Sequence, residues 1–124
     1  MSNTLYRVIQ KVKSRIIPTV LVKTANYTVK ADELLYGAVL ANSGASGAVV
    51  FALPAAQPGM RLTATVVAAF NLTLDLPTGD TIRALATSGQ NFSADAAGET
   101  LQLVCVVPNV WESVGAVDGT WTAA

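Results

Sequence analysis

The chain contains no histidine and a single cysteine, Cys105. The first absence removes the commonest general base and the commonest neutral metal ligand together. The second rules out an intrachain disulfide and a cysteine-based zinc site. Aromatic residues make up only 6% of the chain, so a core has to be built mainly from Val, Leu, Ile and Ala. Charged residues make up 13%, and the eight acids are Asp32, Glu33, Asp75, Asp80, Asp95, Glu99, Glu112 and Asp118. Nothing in their spacing pairs two of them as acid and base. Asp80, Asp95 and Glu99 fall in a stretch that offers oxygen ligands, but without the alternating pattern of a calcium loop. No Gly-x-Ser-x-Gly elbow occurs, and no histidine is there to activate a serine. The chain reads as a non-enzyme that needs no cofactor and no metal.

The net charge is zero, but the charges are segregated. Arg7, Lys11, Lys13, Arg15, Lys23 and Lys30 all precede the first acid, Asp32. From Asp32 onward come all eight acids and only two bases, Arg61 and Arg83. Asymmetry of this kind suggests a basic tail that docks on an acidic surface, such as nucleic acid, another protein or a second copy. Residues 1–24 are therefore assigned to an N-terminal basic arm and 25–124 to a β-rich body. Within the arm, Leu5, Val8, Ile9, Val12 and Ile16 recur at helical spacing, with Arg7, Lys11 and Arg15 on another face. Strand alternation fits part of the same stretch, so a short helix and an extended arm both remain open. Pro18 ends any helix begun upstream. The arm's cations, Lys13 included, and its apolar residues are the candidate partner-binding set.

Leu34 to Met60 carries no charge. Asn42-Ser-Gly44, Ser46-Gly47, Pro54 and Gln57-Pro-Gly59 interrupt it, and such turn signals exclude a lipid-facing helix. Ile16 to Val22 is too short, and too closely followed by Lys23, for a signal peptide. Neither a membrane span nor secretion is expected.

From Val20 onward the pattern is β. Runs at 25–29, 34–40, 48–53 and 62–70 are separated by turns rich in Gly, Pro, Asn and Ser. Leu72-Thr-Leu-Asp-Leu76 alternates cleanly, with three leucines on one side. Ile82–Leu85 reads as a short strand and 88–98 as a polar loop. Leu101–Val107, Val110–Val114 and Thr120–Thr122 complete the set. Alternation places Cys105 with Leu101, Leu103 and Val107, as a small core residue rather than a reactive thiol. Many short strands with turn signals between them imply an all-β fold, a β-sandwich or jelly-roll-like barrel of short antiparallel strands. Trp111 and Trp121 are candidates for a subunit contact or for stacking on a sugar. The simpler role is to cover the open end of a small-residue core.

Several pieces of the body, in this order, resemble a β-rich module of tailed-bacteriophage virion proteins. They are Ser46-Gly-Ala-Val-Val-Phe-Ala-Leu-Pro-Ala-Ala56 with Gly59, Asn71-Leu-Thr-Leu74, Gly79-Asp-Thr-Ile82, Gly98-Glu-Thr-Leu-Gln-Leu-Val-Cys105, Asn109-Val-Trp111 and Gly119-Thr-Trp121. The likeness spans about three quarters of the chain, from Tyr27 to Trp121, and leaves out the arm. Similar modules occur in capsid decoration (cement) proteins, head fibres and the ends of tail fibres, and many are trimers. The resemblance implies a structural role without catalytic residues. The expectation is a decoration protein, oligomeric and trimeric by preference, on the capsid surface of the virion. Its partner would be the major capsid protein or another virion protein rather than nucleic acid or membrane. The alternatives are a short tail or tail-fibre-base component and, outside the virion, a carbohydrate-binding module using the tryptophans.

Overall fold

A computed structural model of the chain describes residues 19–85 and 91–123. Among these residues eleven strands run in chain order: β1 (Thr19–Val22), β2 (Tyr27–Thr28), β3 (Ala38–Ala41), β4 (Val49–Ala52), β5 (Arg61–Thr65), β6 (Leu72–Asp75), β7 (Thr81–Ile82), β8 (Asn91–Ala94), β9 (Thr100–Val107), β10 (Val110–Ser113) and β11 (Thr122–Ala123). Short 3-10 turns at Ala31–Leu34 and Arg83–Leu85 are the helical pieces among the described residues. The all-β expectation holds. No helix among the described residues is long and apolar enough to cross a membrane.

The strands form two sheets, in the orders β1-β3-β5-β9-β10-β7 and β11-β8-β6-β4-β2. From β1 to β9, successive strands alternate between them. β1, β3 and β5 enter the first sheet and β2, β4 and β6 the second, so each return to a sheet runs in the same direction as before. β1 with β3, β3 with β5, β2 with β4 and β4 with β6 are accordingly parallel, as are β7 and β10. Among the described residues the expected antiparallel strand pairing occurs at β5–β9, β6–β8, β9–β10 and β8–β11, with one isolated bridge between Thr100 and Asp118. A turn signal marks where a chain reverses. It does not say whether the next strand pairs within the same sheet or crosses to the other.

Inward-facing residues of both sheets build one core cluster. Leu21, Leu40, Ala64 and Leu101 are aligned across four strands and all are buried. Leu72, Leu74 and Leu76 point inward as their alternation predicts. The core is less purely aliphatic than composition suggests. Phe51, Phe92, Met60 and Trp111 are among its largest fully buried side chains. Burying one large apolar side chain contributes about 1.5–3 kcal/mol, so these few residues carry a large share of the apolar burial.

Other boundaries shift. Residues 19–22, assigned to the arm, are an edge strand, so the β body begins at Thr19 rather than at 25. The run 62–70 is a strand only to Thr65. The supposed loop 88–98 contains β8, whose Phe92 and Ala94 are buried.

Candidate functional site

Residues aligned across a sheet share a side. On the outer side of the six-stranded sheet, Val20, Val39, Thr63 and Gln102 form one row. Val22, Ala41, Thr65 and Thr100 form a second, closed by a 3.2 Å contact between the hydroxyls of Thr65 and Thr100. Arg61, Val104 and Glu112 form a third. Glu112 is neutralised by Arg83, whose Nε donates to both carboxylate oxygens at 2.8 and 2.9 Å. Arg61 is then the one charge on these three rows without an ion-pair partner among the described residues, and Val20 (63%) and Val22 (48%) are well exposed on the face.

A cavity of about 260 Å³ opens on this face, lined among others by Tyr36, Val39, Arg61, Thr63, Gln102 and Val114. Local structure explains its rim. Leu34 is fully buried and pins the 3-10 turn, whose Glu33 accepts the Lys30 N–H at 2.8 Å and the Tyr27 hydroxyl at 2.9 Å. The Tyr27 phenol is held above its ordinary pKa, first by that hydrogen bond. Gly37 then turns the chain into β3 at φ +90°, a region other residues rarely adopt. Tyr36 is left exposed at the rim. Arg61 makes no ion pair among the described residues. A guanidinium, a phenol, an amide and a hydroxyl around valines can hold a partner's loop. They do not make an acid–base pair.

The structure places the sequence-derived candidates as follows. Leu5, Arg7, Val8, Ile9, Lys11, Val12, Lys13, Arg15 and Ile16 lie outside the described residues. Trp111 is fully buried and Trp121 is 5% exposed, its Nε1 donating to the Asp118 carbonyl at 3.2 Å. Neither ring offers a face to a sugar or to a neighbouring subunit. Both are corrected to core residues, since their area is taken up by inward-facing neighbours. Trp111 Nε1 is buried without a hydrogen-bond partner. Cys105 is buried, donates to the Val107 carbonyl at 3.0 Å, and has its thiol pKa pushed up chiefly by burial. Val107 itself, grouped with the core by alternation, is 44% exposed, beside a register shift between Val110 and Trp111.

The acids do not converge. Among the described residues no group of three metal-ligating side chains forms. Glu99 accepts backbone N–H groups from Thr120, Ala96 and Asp95, which hold its carboxyl below the usual range. Gly119 lies so close to that carboxylate that any side chain there would strike it.

Asp80 is buried and occupies the centre of a knot that sequence reasoning missed. Its Oδ2 accepts the Ala56 N–H at 2.8 Å and its Oδ1 accepts Asn109 Nδ2 at 2.7 Å. Asn109, at φ +69°, donates its own N–H to the Ala56 carbonyl at 2.9 Å and accepts the Thr81 N–H at 3.0 Å. Leu53-Pro-Ala-Ala56, Gly79-Asp80 and Asn109-Val-Trp111 thus meet at one point. The only signal in the sequence was that two of the three carry an Asp or Asn at a turn, while the third is a strand end in Leu-Pro. No family model matches the chain, and neither a curated protein nor a solved structure matches it.

Proposed function

We propose that the chain is a structural protein of a tailed-phage virion, a decoration protein that oligomerises on the capsid surface, by preference as a trimer. One observation carries the reading. Three of the separate sequence pieces that resemble the virion module come together in the buried Asp80 knot. Their order along the chain is thereby tied to a shared folding requirement rather than to composition. The knot is a scaffold device, so the work of the protein falls to its surfaces. Two surfaces support assembly. The outer face of the six-stranded sheet carries Arg61 as the one charge on its three rows without an ion-pair partner among the described residues, and exposes Val20, Val22, Tyr36 and Val114. The basic segment enters the body at β1, the edge of that same sheet. A basic segment and an otherwise acidic body suit contact with an acidic protein surface.

The test is to image the native particle with the protein tagged at its C-terminus. Density on the shell supports decoration, and density confined to the tail replaces it with the tail-component reading. In solution, light scattering should show an oligomer at micromolar concentration. A stable monomer there would count against assembly through the sheet face.

A further inference from the structure

The cavity on the outer face of the six-stranded sheet holds a cation without a counter-charge. Arg61 opens β5 on that face, is exposed, and makes no hydrogen bond or ion pair through its side chain among the described residues. Beside it across the strand pair stands Gly37, where an added Cβ would lie 3.9 Å from the Arg61 Cβ. The absent side chain keeps the approach to the guanidinium open. Tyr36, Thr63 and Gln102 add a phenol, a hydroxyl and an amide, and Val39 and Val114 add apolar surface. Such a lining suits a carboxylate carried beside an apolar side chain, because charge-assisted bonds join guanidinium to carboxylate and neutral donors take the remaining lone pairs. The volume, about 260 Å³, falls below the roughly 300–1,000 Å³ of small-molecule sites. That size favours one or two side chains of a protein over a free ligand.

The same chain exposes a segment of that chemistry. Asp32 lies in the 3-10 turn Ala31–Leu34, and Leu35 follows as its C-cap with helical angles, φ −65° and ψ −33°. Three residues apart, the two side chains eclipse and leave the turn on one side. Asp32 is exposed and Leu35 is 53% exposed. Leu34 anchors the turn in the core, and Glu33 is taken up by the Lys30 N–H and the Tyr27 hydroxyl. The Asp32 side chain has no hydrogen bond or ion pair among the described residues. The other exposed acids among them, Asp95 and Asp118, have no exposed leucine, valine or aromatic in the three positions that follow. Arg61 and Asp32 do not pair within one chain.

We propose that the cavity receives the Asp32–Leu35 turn of a second copy, with Asp32 paired to Arg61 and Leu35 set against Val39 and Val114. The inference rests on the assembly part of the proposed function and on none of its virion part. Tyr36 follows Leu35 directly and lines the cavity, so each turn stands at the rim of its own pocket. Both patches then lie close to the axis that relates the copies. A contact between two different patches closes as a ring, or as a reciprocal pair about a two-fold axis. Either arrangement leaves no Arg61 unpaired.

The experiment is a charge swap in the full chain, read by sedimentation velocity over a concentration series. Arg61→Glu and Asp32→Arg each place like charges in the contact, and each should raise the dissociation constant of the oligomer at least about tenfold. The double variant restores opposite charges and should return to the wild-type constant, a recovery that simple damage to the fold cannot produce. Circular dichroism checks that each variant keeps its strands. Where a reversal unfolds the body, Arg61→Gln and Asp32→Asn replace it, and each should remove most of the salt dependence of assembly. Single variants that assemble like the wild type, or neutral ones with its salt dependence, would overturn the contact and leave assembly standing on another surface. Weakening in both single variants without recovery in the double would overturn Asp32 as the partner of Arg61. A wild-type chain that stays monomeric would overturn the contact and the assembly reading together.

Discussion

Asn42 is the residue whose loss should be felt most for its size. It is fully buried, and its side chain holds the loop after β5 through four hydrogen bonds. Oδ1 accepts the N–H groups of Val67 (2.8 Å) and Ala68 (3.0 Å), and Nδ2 donates to the carbonyls of Ala68 (3.0 Å) and Phe70 (3.2 Å). Asn42→Ala strands the N–H groups of Val67 and Ala68 and the Phe70 carbonyl, while the Ala68 carbonyl keeps the Phe70 N–H at 2.7 Å. An unmade buried hydrogen bond costs about 1–3 kcal/mol per group. Val67 and Phe70 are 48% and 41% exposed, so water recovers part of the loss. A net cost of ~3 kcal/mol follows if roughly half the groups stay dry. Urea unfolding should show the midpoint falling by about 1–3 M, and the melting temperature by roughly 12–24 °C. Asn42→Asp separates the acceptor from the donor. It keeps both accepted bonds but turns a carboxylate oxygen towards two carbonyls. That environment raises the folded pKa of the new acid, so the variant should be weak at pH 7 and regain stability as pH falls. A loss below about 1 kcal/mol for Asn42→Ala, or wild-type stability for Asn42→Asp at pH 7, would refute this account of the loop.

Glu99 gives a pH dependence of the opposite sign. Its folded carboxyl is held low by the N–H groups of Thr120, Ala96 and Asp95, so its contribution is complete above the ordinary glutamate range and is lost as pH falls through the depressed value. Glu99→Gln should lower the melting temperature at pH 7 and flatten its acid dependence, and an unchanged acid slope would contradict this role of the Glu99 carboxylate. Cys105, buried and with a raised thiol pKa, should react with a thiol reagent at pH 8 only as fast as the body opens; labelling at the rate of a free thiol would contradict its burial. Chelator should leave thermal stability unchanged, and a large loss would reveal a bound cation.

The legible part of the fold was local. Leu72-Thr-Leu-Asp-Leu76 and Leu101 to Cys105 stated their inward faces by alternation alone, because a half-buried strand leaves no other pattern. Pairing was not legible. The Asn42-Ser-Gly turn is the kind that also closes a hairpin, yet here it carries the chain from β3 to the other sheet. Asn91–Ala94 read as loop because Asn, Ser and Ala favour strands weakly. Pairing with β6 on one side and β11 on the other overrides that propensity. The strand from Leu62 stops early because Asn42 captures the backbone of the next residues. That competition depends on a residue more than twenty positions away. The candidate surface was hidden for a related reason. Val20, Val22 and Val114 look like core in sequence, and only the sheet order shows that they lie outside it. The tryptophans ran in the opposite direction. Large and rare, they stood as candidates for a subunit contact or a stacking platform beside the simpler role of covering the core, and a core so poor in aromatics has most use for them inside.

The edges of the two sheets show where this design concentrates its interactions. β2, β7 and β11 are two-residue edge strands, too short to recruit another chain. β1 is the exception. It has four residues, Thr19-Val-Leu-Val22, without a charge or a proline of its own. Natural edges of that length are blunted by charges, bulges or a covering segment. Here the nearest cation within the body is Lys23, just past the strand, and the outer row beside it is Val, Ala and Thr. A protein that worked as an isolated monomer would gain solubility from lysines on that row. Their absence costs nothing only if the face is covered in use. The segment bearing half of the chain's eight cations joins the body at this same edge. Attraction to an acidic partner and burial of the valine row would therefore occur together, with charge setting the approach and apolar contact holding the complex. Adding charge at Val20, which sits outside the core, tests that coupling without disturbing the fold. Val20→Lys should leave the free energy of unfolding within about 0.5 kcal/mol of wild type and abolish assembly, whereas assembly unchanged by the substitution would place the contact elsewhere.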